Sequence, residues 1–355
     1  MKSGKTTKLS QKFKNIKISA RYFLLISAAL IIATFFITKL IYNSNAAQSG
    51  NSASSEESDY VIKRSSNFRF IKPLISAKPE NEFEGYSEIK DSVSKYILGN
   101  EYKGLISTAS VYFRDFDKSN WIVVNPNEKY FYGSLFKIPI LMTVLKKEED
   151  RPGYLKNSIN YTKDVFAAVN KDQEIKSKRI EAGHVYTYEQ LLNYMIVYSD
   201  NSSLFVFENI LGTKNFLRIY KDLNLEMPDS TKNIYDTTVQ NFSVFMEVLF
   251  NATYLDPGNS EYAIELMSKS DFKEGIVKGI PGGNSFIAHK FAEAGDITNR
   301  QLHETALLYI KDKPYLITIM TKGKNGTEYS KLEPIIQGIA RIIYDGIVKY
   351  NEEQK

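Results

Sequence analysis

The chain has 355 residues, 43% hydrophobic and 25% charged, values that are ordinary for globular proteins and allow a sizeable core in one large or two modest domains. It contains no cysteine, which excludes disulfides, thiolate catalysis and cysteine metal ligands. The net charge is +5, but seven positive charges lie in residues 1–21, which contain no acidic residue, so the rest of the chain carries −2 and a nucleic-acid partner gains no support.

The first predicted element is an apolar run over residues 22–42, in which Lys39 is the only charge. Its length is about that of a helix that crosses a bilayer. Positive charges precede the run and almost none follow it, so the positive-inside rule places residues 1–21 in the cytoplasm and the rest outside. We predict a retained membrane anchor; the alternative is a secreted protein whose signal peptide is cleaved near Ala46.

Residues 43–66 are rich in Ser, Asn, Ala, Gln and Glu and offer almost nothing to bury. This composition predicts a flexible tether that holds an extracytoplasmic domain, residues 67–355, off the membrane. Residues 67–85 give no clear pattern and are expected to lead into that domain. No internal repeat and no second domain are evident.

The domain is predicted to begin with a helix over Ile89–Gly99 and a β-branched, alternating strand over Gly104–Phe113. Trp121–Val124 is the predicted returning strand of a hairpin. A long helix is predicted from near Ser134, and further helix with apolar spacing of three and four over Tyr186–Leu211.

The C-terminal part of the chain returns to strands, predicted over residues 286–295, 304–310 and 315–321. Residues 332–350 carry isoleucines at helical spacing and are predicted to close the domain as a helix. Strands near both ends of the domain and helices between them predict an α/β fold of the α+β type. Its single antiparallel sheet is fed by both chain ends, packed with helices, and accompanied by an all-helical block.

Ser134 and Lys137 lie three residues apart at the predicted start of a helix, and therefore on one helix face. Free N–H groups at a helix N-terminus favour negative charge on the serine. A lysine can take the serine proton only if burial or a second cation lowers its pKa, and Lys290 is a candidate second cation. The pattern favours Ser134 as nucleophile and Lys137 as its activator. The alternative is a helix-capping serine beside a solvated lysine.

Ser199, Asp200 and Asn201 interrupt the apolar helical pattern, and such a break projects side chains into a cleft while the aspartate secures the turn. There Ser199 can relay a proton to a leaving nitrogen, and Asn201 can bind a substrate amide. The alternative is an ordinary cap-and-turn segment, which favours the same residue types.

Lys290 lies on the predicted strand 286–295, where it would face the cleft and attract a substrate carboxylate. The backbone N–H of Glu293, three residues further, is predicted to pair with that of Ser134 as an oxyanion hole. The alternative is an edge-strand lysine that serves solubility.

Ser-x-x-Lys, Ser-Asp-Asn and a late lysine, in this order, form the signature of serine enzymes that act on β-lactams and cell-wall peptides. From about residue 89 to the C-terminus the chain resembles class A β-lactamase-type serine hydrolases, a superfamily that also holds penicillin-binding proteins and D-Ala-D-Ala peptidases. The matching segments, in family order, are residues 130–139, 188–201, 235–238, 303–304 and 314–321. The resemblance implies the β-lactamase-like fold and assigns the site roles as follows: Ser134 is the nucleophile, Lys137 its activator, Ser199 and Asn201 the leaving-group and amide contacts, and Lys290 the carboxylate anchor.

Two departures from the family pattern concern release of the acyl group and binding of the carboxylate. The omega-loop counterpart, residues 223–235, is short and lacks the glutamate that activates the deacylating water; Glu226 is its one candidate, and a surface carboxylate is the favoured interpretation. Phe291 and Ala292 replace the family's Thr/Ser-Gly after the lysine, which removes a hydroxyl that grips the carboxylate. We therefore expect acylation without efficient deacylation.

Three functions stay open: a β-lactam or related-amide hydrolase, a D,D-peptidase or transpeptidase on cell-wall peptides, and a non-catalytic binding protein that retains the fold. The expected partners are a small β-lactam or cell-wall peptide and, through the N-terminal helix, the membrane, with no nucleic acid and a monomeric state. No metal or organic cofactor is expected, because His184, His289 and His303 are too scattered to form a ligand set.

Overall fold

The computed structural model describes residues 60–65, 71–163, 173–228, 236–282 and 286–355, all within the compact unit Asp59–Lys355. The predicted anchor at residues 22–42 lies outside the described residues. Of the helices within them, none combines the length and the apolar character that a membrane crossing needs. Membrane attachment therefore stays a prediction.

The described residues form eleven strands and nine α-helices. The strands are β1 Tyr60–Arg64, β2 Leu74–Pro79, β3 Ile106–Asp115, β4 Trp121–Val124, β5 Tyr130–Phe131, β6 Ser158–Tyr161, β7 His184–Thr187, β8 Asp236–Thr237, β9 Ile287–Ala294, β10 Gln301–Ile310 and β11 Lys313–Gly323. The helices are α1 Ser87–Tyr102, α2 Lys137–Asp150, α3 Tyr188–Val197, α4 Asn201–Leu211, α5 Thr213–Asp222, α6 Val239–Phe250, α7 Pro257–Ser268, α8 Ile276–Gly279 and α9 Tyr329–Glu353. Short 3₁₀ turns cover Glu84–Tyr86, Gly133–Phe136 and Tyr154–Lys156.

A five-stranded antiparallel sheet in the order β4-β3-β11-β10-β9 organises the domain. Strands β3 and β4 come from the N-terminal part of the domain and β9, β10 and β11 from its C-terminal part, with most helices between them in sequence. This arrangement confirms the predicted α+β fold with a sheet fed by both chain ends. The prediction of a single sheet is corrected, because three two-stranded pairs, β1-β2, β5-β8 and β6-β7, lie outside it. In this order β9 is an edge strand, and its outer edge is not paired with another strand of the sheet.

Both faces of the sheet are covered, because alternate side chains of each strand enter different cores. On one face the sheet packs against α1, α8 and α9, with isoleucines such as Ile317, Ile319 and Ile339 in the core. On the other face Leu316 and Met320 join the core of the helical block. Each fully buried aliphatic side chain of this kind contributes about 1.5–3 kcal/mol. Strand β9 therefore lies between the two cores, and its outer edge is not paired with another strand of the sheet.

Several predicted element bounds differ from the structure for local reasons. Strand β4 has the predicted bounds, whereas α1 passes through Gly99 and ends at Tyr102, just before Gly104 takes a positive φ of 74°. The region predicted as helix over Tyr186–Leu211 begins as the end of β7. A capping box between Thr187 and Gln190 then starts α3.

The predicted tether is corrected at its C-terminal end, because Tyr60–Arg64 form β1, which pairs antiparallel with β2. Backbone oxygens of β2 accept hydrogen bonds from the main domain: Ala77 O from Arg114 at 2.7 Å and Pro79 O from Trp121 Nε1 at 2.8 Å. These bonds attach the hairpin to the folded domain, so the folded part of the chain begins at least six residues before the predicted boundary at residue 66.

Candidate active site

The candidate nucleophile Ser134 lies in the 3₁₀ turn Gly133–Phe136 that leads directly into α2. Gly133 has a positive φ of 50°, and a Cβ at this position would lie 2.3 Å from the carbonyl oxygen of Glu293. Residue 133 must therefore be glycine, both for its backbone conformation and for the close approach to β9. The following helix begins at Lys137, three residues later than predicted, and its first nine residues are all buried.

Lys137 is fully buried, and its ammonium nitrogen contacts both motifs of the candidate site. Nζ lies 2.8 Å from Ser134 Oγ, 2.7 Å from Asn201 Oδ1, 2.8 Å from Ser199 O and 3.1 Å from Ser199 Oγ. Burial lowers the pKa of Lys137 to about 7, although the nearby carboxylates, Asp200 first, act in the opposite direction. A substantial fraction of Lys137 is therefore a neutral amine near pH 7, in contact with the serine whose proton it would accept.

The Ser199 motif lies in the break between α3 and α4, as the sequence predicted. Ser199 has a positive φ of 55°, which is uncommon for a residue other than glycine. The buried carboxylate of Asp200 fixes the break by capping α4: it accepts hydrogen bonds from Ser203 N at 2.8 Å and Ser203 Oγ at 2.6 Å. Asn201 opens the helix with its side chain on Lys137.

Lys290 approaches the same serine from β9. Its Nζ lies 2.8 Å from Ser199 Oγ and 2.9 Å from the carbonyl oxygen of Phe291, so the Ser199 hydroxyl bridges two lysines. Lys290 is fully buried, and burial, reinforced by the charge of Lys137, holds its pKa well below the ordinary lysine value. The predicted second cation is thus beside Lys137, but none of its surface is exposed to a substrate carboxylate.

Phe291, the next residue of β9, lies close to the Lys290 ammonium group. The Phe291 ring lies 4.3 Å from Lys290 Nζ and stacks on Phe272 at 4.2 Å between centroids. Where the family places a hydroxyl, this chain therefore places an aromatic ring over the lysine. The predicted role of Lys290 as a carboxylate anchor stays a prediction.

The outer edge of β9 faces the Ser134 turn. Phe286 O accepts a hydrogen bond from Tyr309 N at 3.1 Å on the β10 side, and the β9–β10 register continues without a bulge. The backbone N–H and C=O groups of successive residues alternate between the two edges of a strand. Since those of Phe286 point to β10, those of Glu293, seven residues later, point to the outer edge of β9. The close approach of Gly133 to Glu293 O agrees with this direction. The N–H groups of Ser134 and Glu293 thus belong to adjoining segments, as the predicted oxyanion hole requires.

The side chain of Glu293 holds a neighbouring segment, residues 173–178, against the cleft. Its carboxylate accepts hydrogen bonds from Glu174 N at 3.1 Å and Ile175 N at 2.9 Å, and Lys178 lies over the ring of Tyr198 beside the Ser199 motif. Nothing in the sequence pattern indicated this segment, because its anchoring residue was singled out only for its backbone.

The carboxylates near the site fall into two kinds. Glu226 of the omega-loop counterpart has a 72% exposed side chain, 3.4 Å from Lys129 Nζ, which agrees with the surface interpretation. Glu208 of α4 is half-buried and interacts electrostatically with Lys137. Sequence reasoning missed Glu208, although its position seven residues after Asn201 on one helix was the available signal.

Two of the histidines, His303 and His289, are buried in the sheet and contact other protein groups. His303 is buried with Nε2 3.0 Å from Phe131 O, and His289 Nδ1 lies 2.7 Å from Glu304 Oε1 on the sheet. Within the described ranges, no group of three or more His, Asp or Glu side chains is placed to hold a metal ion.

A family model described as "Beta-lactamase enzyme family" matches residues 88–347. The chain therefore belongs to the β-lactamase enzyme family and is a serine β-lactamase-like hydrolase. No curated protein matches the chain in sequence.

Solved structures of the same fold have low sequence identity to this chain. PBP-A is 16% identical with a TM-score of 0.63 and covers 76% of this chain and 98% of its own. A class A β-lactamase from Mycobacterium abscessus is 18% identical with a TM-score of 0.62, covering 72% and 99%. A β-lactamase from Francisella tularensis is 20% identical with a TM-score of 0.62, covering 74% and 99%. A mutant of PBP-A has been solved as an acyl-enzyme complex with penicillin G. At these identities the likeness shows the fold.

Proposed function

We propose that the protein is an acyl-enzyme-forming hydrolase that attacks β-lactams or related amides through Ser134. The observation that carries the proposal is the contact of 2.8 Å between Ser134 Oγ and Lys137 Nζ, with the lysine pKa lowered to about 7. A neutral amine in this position can take the hydroxyl proton as the serine attacks, which an ordinary solvated lysine cannot do near neutral pH.

The proposed acylation uses the two lysines and Ser199 in sequence. Ser134 Oγ bonds to the carbonyl carbon while its proton moves to Lys137, and the N–H groups of Ser134 and Glu293 receive the negative oxygen. The C–N bond then breaks, and the proton passes from Lys137 through the Ser199 hydroxyl to the leaving nitrogen. Lys290, 2.8 Å from Ser199 Oγ, orients that hydroxyl, and Asn201 is the proposed contact of the substrate amide.

The β-lactam class is supported by family membership and by the penicillin G acyl-enzyme of a PBP-A mutant. The test is intact-mass spectrometry of the full chain after exposure to penicillin G. We expect an adduct of one acyl group that Ser134→Ala removes and that Ser107→Ala, at an exposed position on β3, retains. If no adduct forms with several lactams, the proposal is wrong; the same result is what a non-catalytic binding protein predicts.

A second candidate function is D,D-peptidase or transpeptidase chemistry on cell-wall peptides. It is favoured by Glu226, which contacts Lys129 at the surface. The described part of the omega-loop counterpart, residues 223–228, therefore places no carboxylate in the buried site. Release of D-Ala from a pentapeptide, together with a long-lived penicillin adduct, would support it. Rapid multiple turnover of a chromogenic lactam would exclude it.

We also propose that residues 22–42 anchor the enzyme, with the catalytic domain outside the cytoplasm. The proposal is supported by segment 1–21, which is basic, contains no acidic residue and precedes an apolar run. The full chain should fractionate with membranes, and a chain without residues 1–42 should not. A mature protein whose mass begins near Ala46 would show instead that the segment is a cleaved signal peptide.

A further inference from the structure

Helix α4 presents one half-buried stripe beside the candidate site. Asn201, Leu204, Phe205 and Glu208 are spaced three, four and seven residues apart and therefore share a helix face. All four are partly exposed, whereas Ser202, Ser203, Val206 and Phe207 on the other face are buried. The stripe begins at Asn201 Oδ1, 2.7 Å from Lys137 Nζ. It thus runs from the site toward solvent.

Glu208 is the only carboxylate on this stripe. It lies about 10 Å along the helix axis from Asn201, and its side chain leans back toward the helix N-terminus, which shortens that separation by several ångströms. Among the described residues, no hydrogen bond or ion pair occupies its carboxylate. The carboxylate is therefore free to bind water on the side of the site where Asn201 lies.

The side chains of Glu208 and Lys137 interact electrostatically. Partial burial raises the pKa of Glu208, and the charge of Lys137 opposes that shift, while Glu208 in turn raises the pKa of Lys137. A carboxyl group with a raised pKa is a better proton acceptor near neutral pH than an exposed one. Glu226, in contrast, is exposed and in contact with Lys129 at the surface.

We propose that Glu208 is the proton acceptor that activates the water for release of the acyl group from Ser134. The proposal rests on the proposed function, since it concerns the acyl-enzyme of the same site. It assigns to helix α4 a task for which the omega-loop counterpart carries no suitable side chain among its described residues.

The proposed release step balances as follows. A water molecule gives a proton to the Glu208 carboxylate as its oxygen bonds to the acyl carbonyl carbon. The proton on Glu208 passes through water to the neutral amine of Lys137. The bond from that carbon to Ser134 Oγ then breaks as Lys137 gives this proton to Oγ. The products are the free serine and a carboxylic acid, with Lys137 again a neutral amine and Glu208 again a carboxylate.

The experiment follows the penicillin G adduct of the full chain by intact mass after the free lactam is removed. Glu208→Gln should form the adduct at a rate within about threefold of the original chain but release it about 10²-fold or more slowly. Glu208→Asp should restore part of the release rate. The matched control Glu226→Gln, which removes the exposed carboxylate, should change neither rate.

Release by the original chain should also slow as pH falls through the raised pKa of a carboxyl group, and Glu208→Gln should lose this dependence.

Equal release rates for Glu208→Gln and the original chain, or slowing by Glu226→Gln instead, overturn the inference while leaving the proposed function intact. An original chain that is acylated but never releases the adduct also overturns it. Absence of any adduct on the original chain refutes the proposed function itself. If Glu208→Gln does not fold, the Glu208→Asp rates and the pH dependence of the original chain decide the question.

Discussion

The residues assigned to acylation and the carboxylates near them differ in burial. Around Ser134, the side chains of Lys137, Ser199 and Lys290 are fully buried and joined by hydrogen bonds of 2.8 to 3.1 Å. In contrast, Glu208 is half-buried and Glu226 is largely exposed. The groups assigned to bond formation are thus fixed in the core, and the carboxylates available for release lie near solvent.

This difference indicates that the two half-reactions can vary independently. Acylation depends on desolvation, since burial is the largest cause of the lowered pKa values of both lysines. Burying the amino groups of two neighbouring lysines costs folding free energy, which the large cores on both sides of β9 offset. Release depends on one carboxylate at the margin of the site, so a single substitution there is expected to change the lifetime of the acyl-enzyme without affecting its formation.

The largest expected effect is on acylation in Lys137→Met. Loss of a general base typically lowers a rate about 10²–10⁴-fold. In the original chain the acylation rate should rise as pH increases through about 7, because the neutral amine is the active form. Lys137→Met should abolish that rise. Stopped-flow acylation by a chromogenic lactam across pH measures both, and an unchanged pH profile in the variant would show that another group takes the proton.

Gly133→Ala should disturb the turn that carries the nucleophile. A positive φ costs a non-glycine residue roughly 1–2 kcal/mol, and overlap with Glu293 O adds to this because a backbone oxygen cannot rotate away. We expect a lower unfolding free energy and slower acylation. The matched control is Gly99→Ala in α1, where a Cβ meets nothing within 4 Å and should stabilise the helix by about 0.5–1 kcal/mol. Equal unfolding midpoints for the two variants would contradict the described turn.

The buried position of Lys290 predicts a weak dependence on the substrate carboxylate. A charged hydrogen bond contributes about 1.5–3 kcal/mol, which is tenfold or more in rate, whereas Lys290 has no exposed surface to make one. Penicillin G and its methyl ester should therefore acylate Ser134 at rates within about tenfold of each other. A preference for the free acid beyond that would support the carboxylate-anchor role implied by the family resemblance.

The smallest effect is expected from Lys129→Met, which removes the surface contacts with Glu226 and Asp236. Exposed ion pairs contribute about 0–1 kcal/mol. Chemical denaturation should show a change no larger than that of Lys269→Met, which removes the exposed pair with Glu265 on α7. A substantially larger loss would mean that the omega-loop counterpart is tied to the domain more firmly than these contacts indicate.

The sequence was sufficient for the sheet, the central helices and the break at Ser199 because each has a local signature. Trp121–Val124 is a short run rich in β-branched residues, which favours a strand. Asp200 has a side chain that caps helix N-termini and so marks the start of α4. Strand β1 was missed because Tyr60–Arg64 follow a polar segment and are mostly exposed, so no buried pattern distinguishes them.

Features of the site that depend on burial were beyond sequence reasoning. The motifs identified Lys290 as a cation near Ser199, but the ring of Phe291 that covers it stacks on Phe272, nineteen residues earlier in the chain. The anchoring of residues 173–178 by Glu293 likewise joins segments more than a hundred residues apart. No residue spacing along the chain encodes such contacts, because they arise from packing after the sheet has formed.

The pairing of β5 with β8 has a consequence for engineering. Tyr130 pairs with Thr237 and Phe131 with Asp236, so the end of the omega-loop counterpart is bonded to the strand just before the nucleophile turn. The other end of the omega-loop counterpart follows α5 and begins at Leu223, which is buried. A longer, glutamate-bearing loop grafted between these two points should therefore leave the nucleophile turn in place. This makes residues 223–235 the segment to exchange in order to shorten the lifetime of the acyl-enzyme.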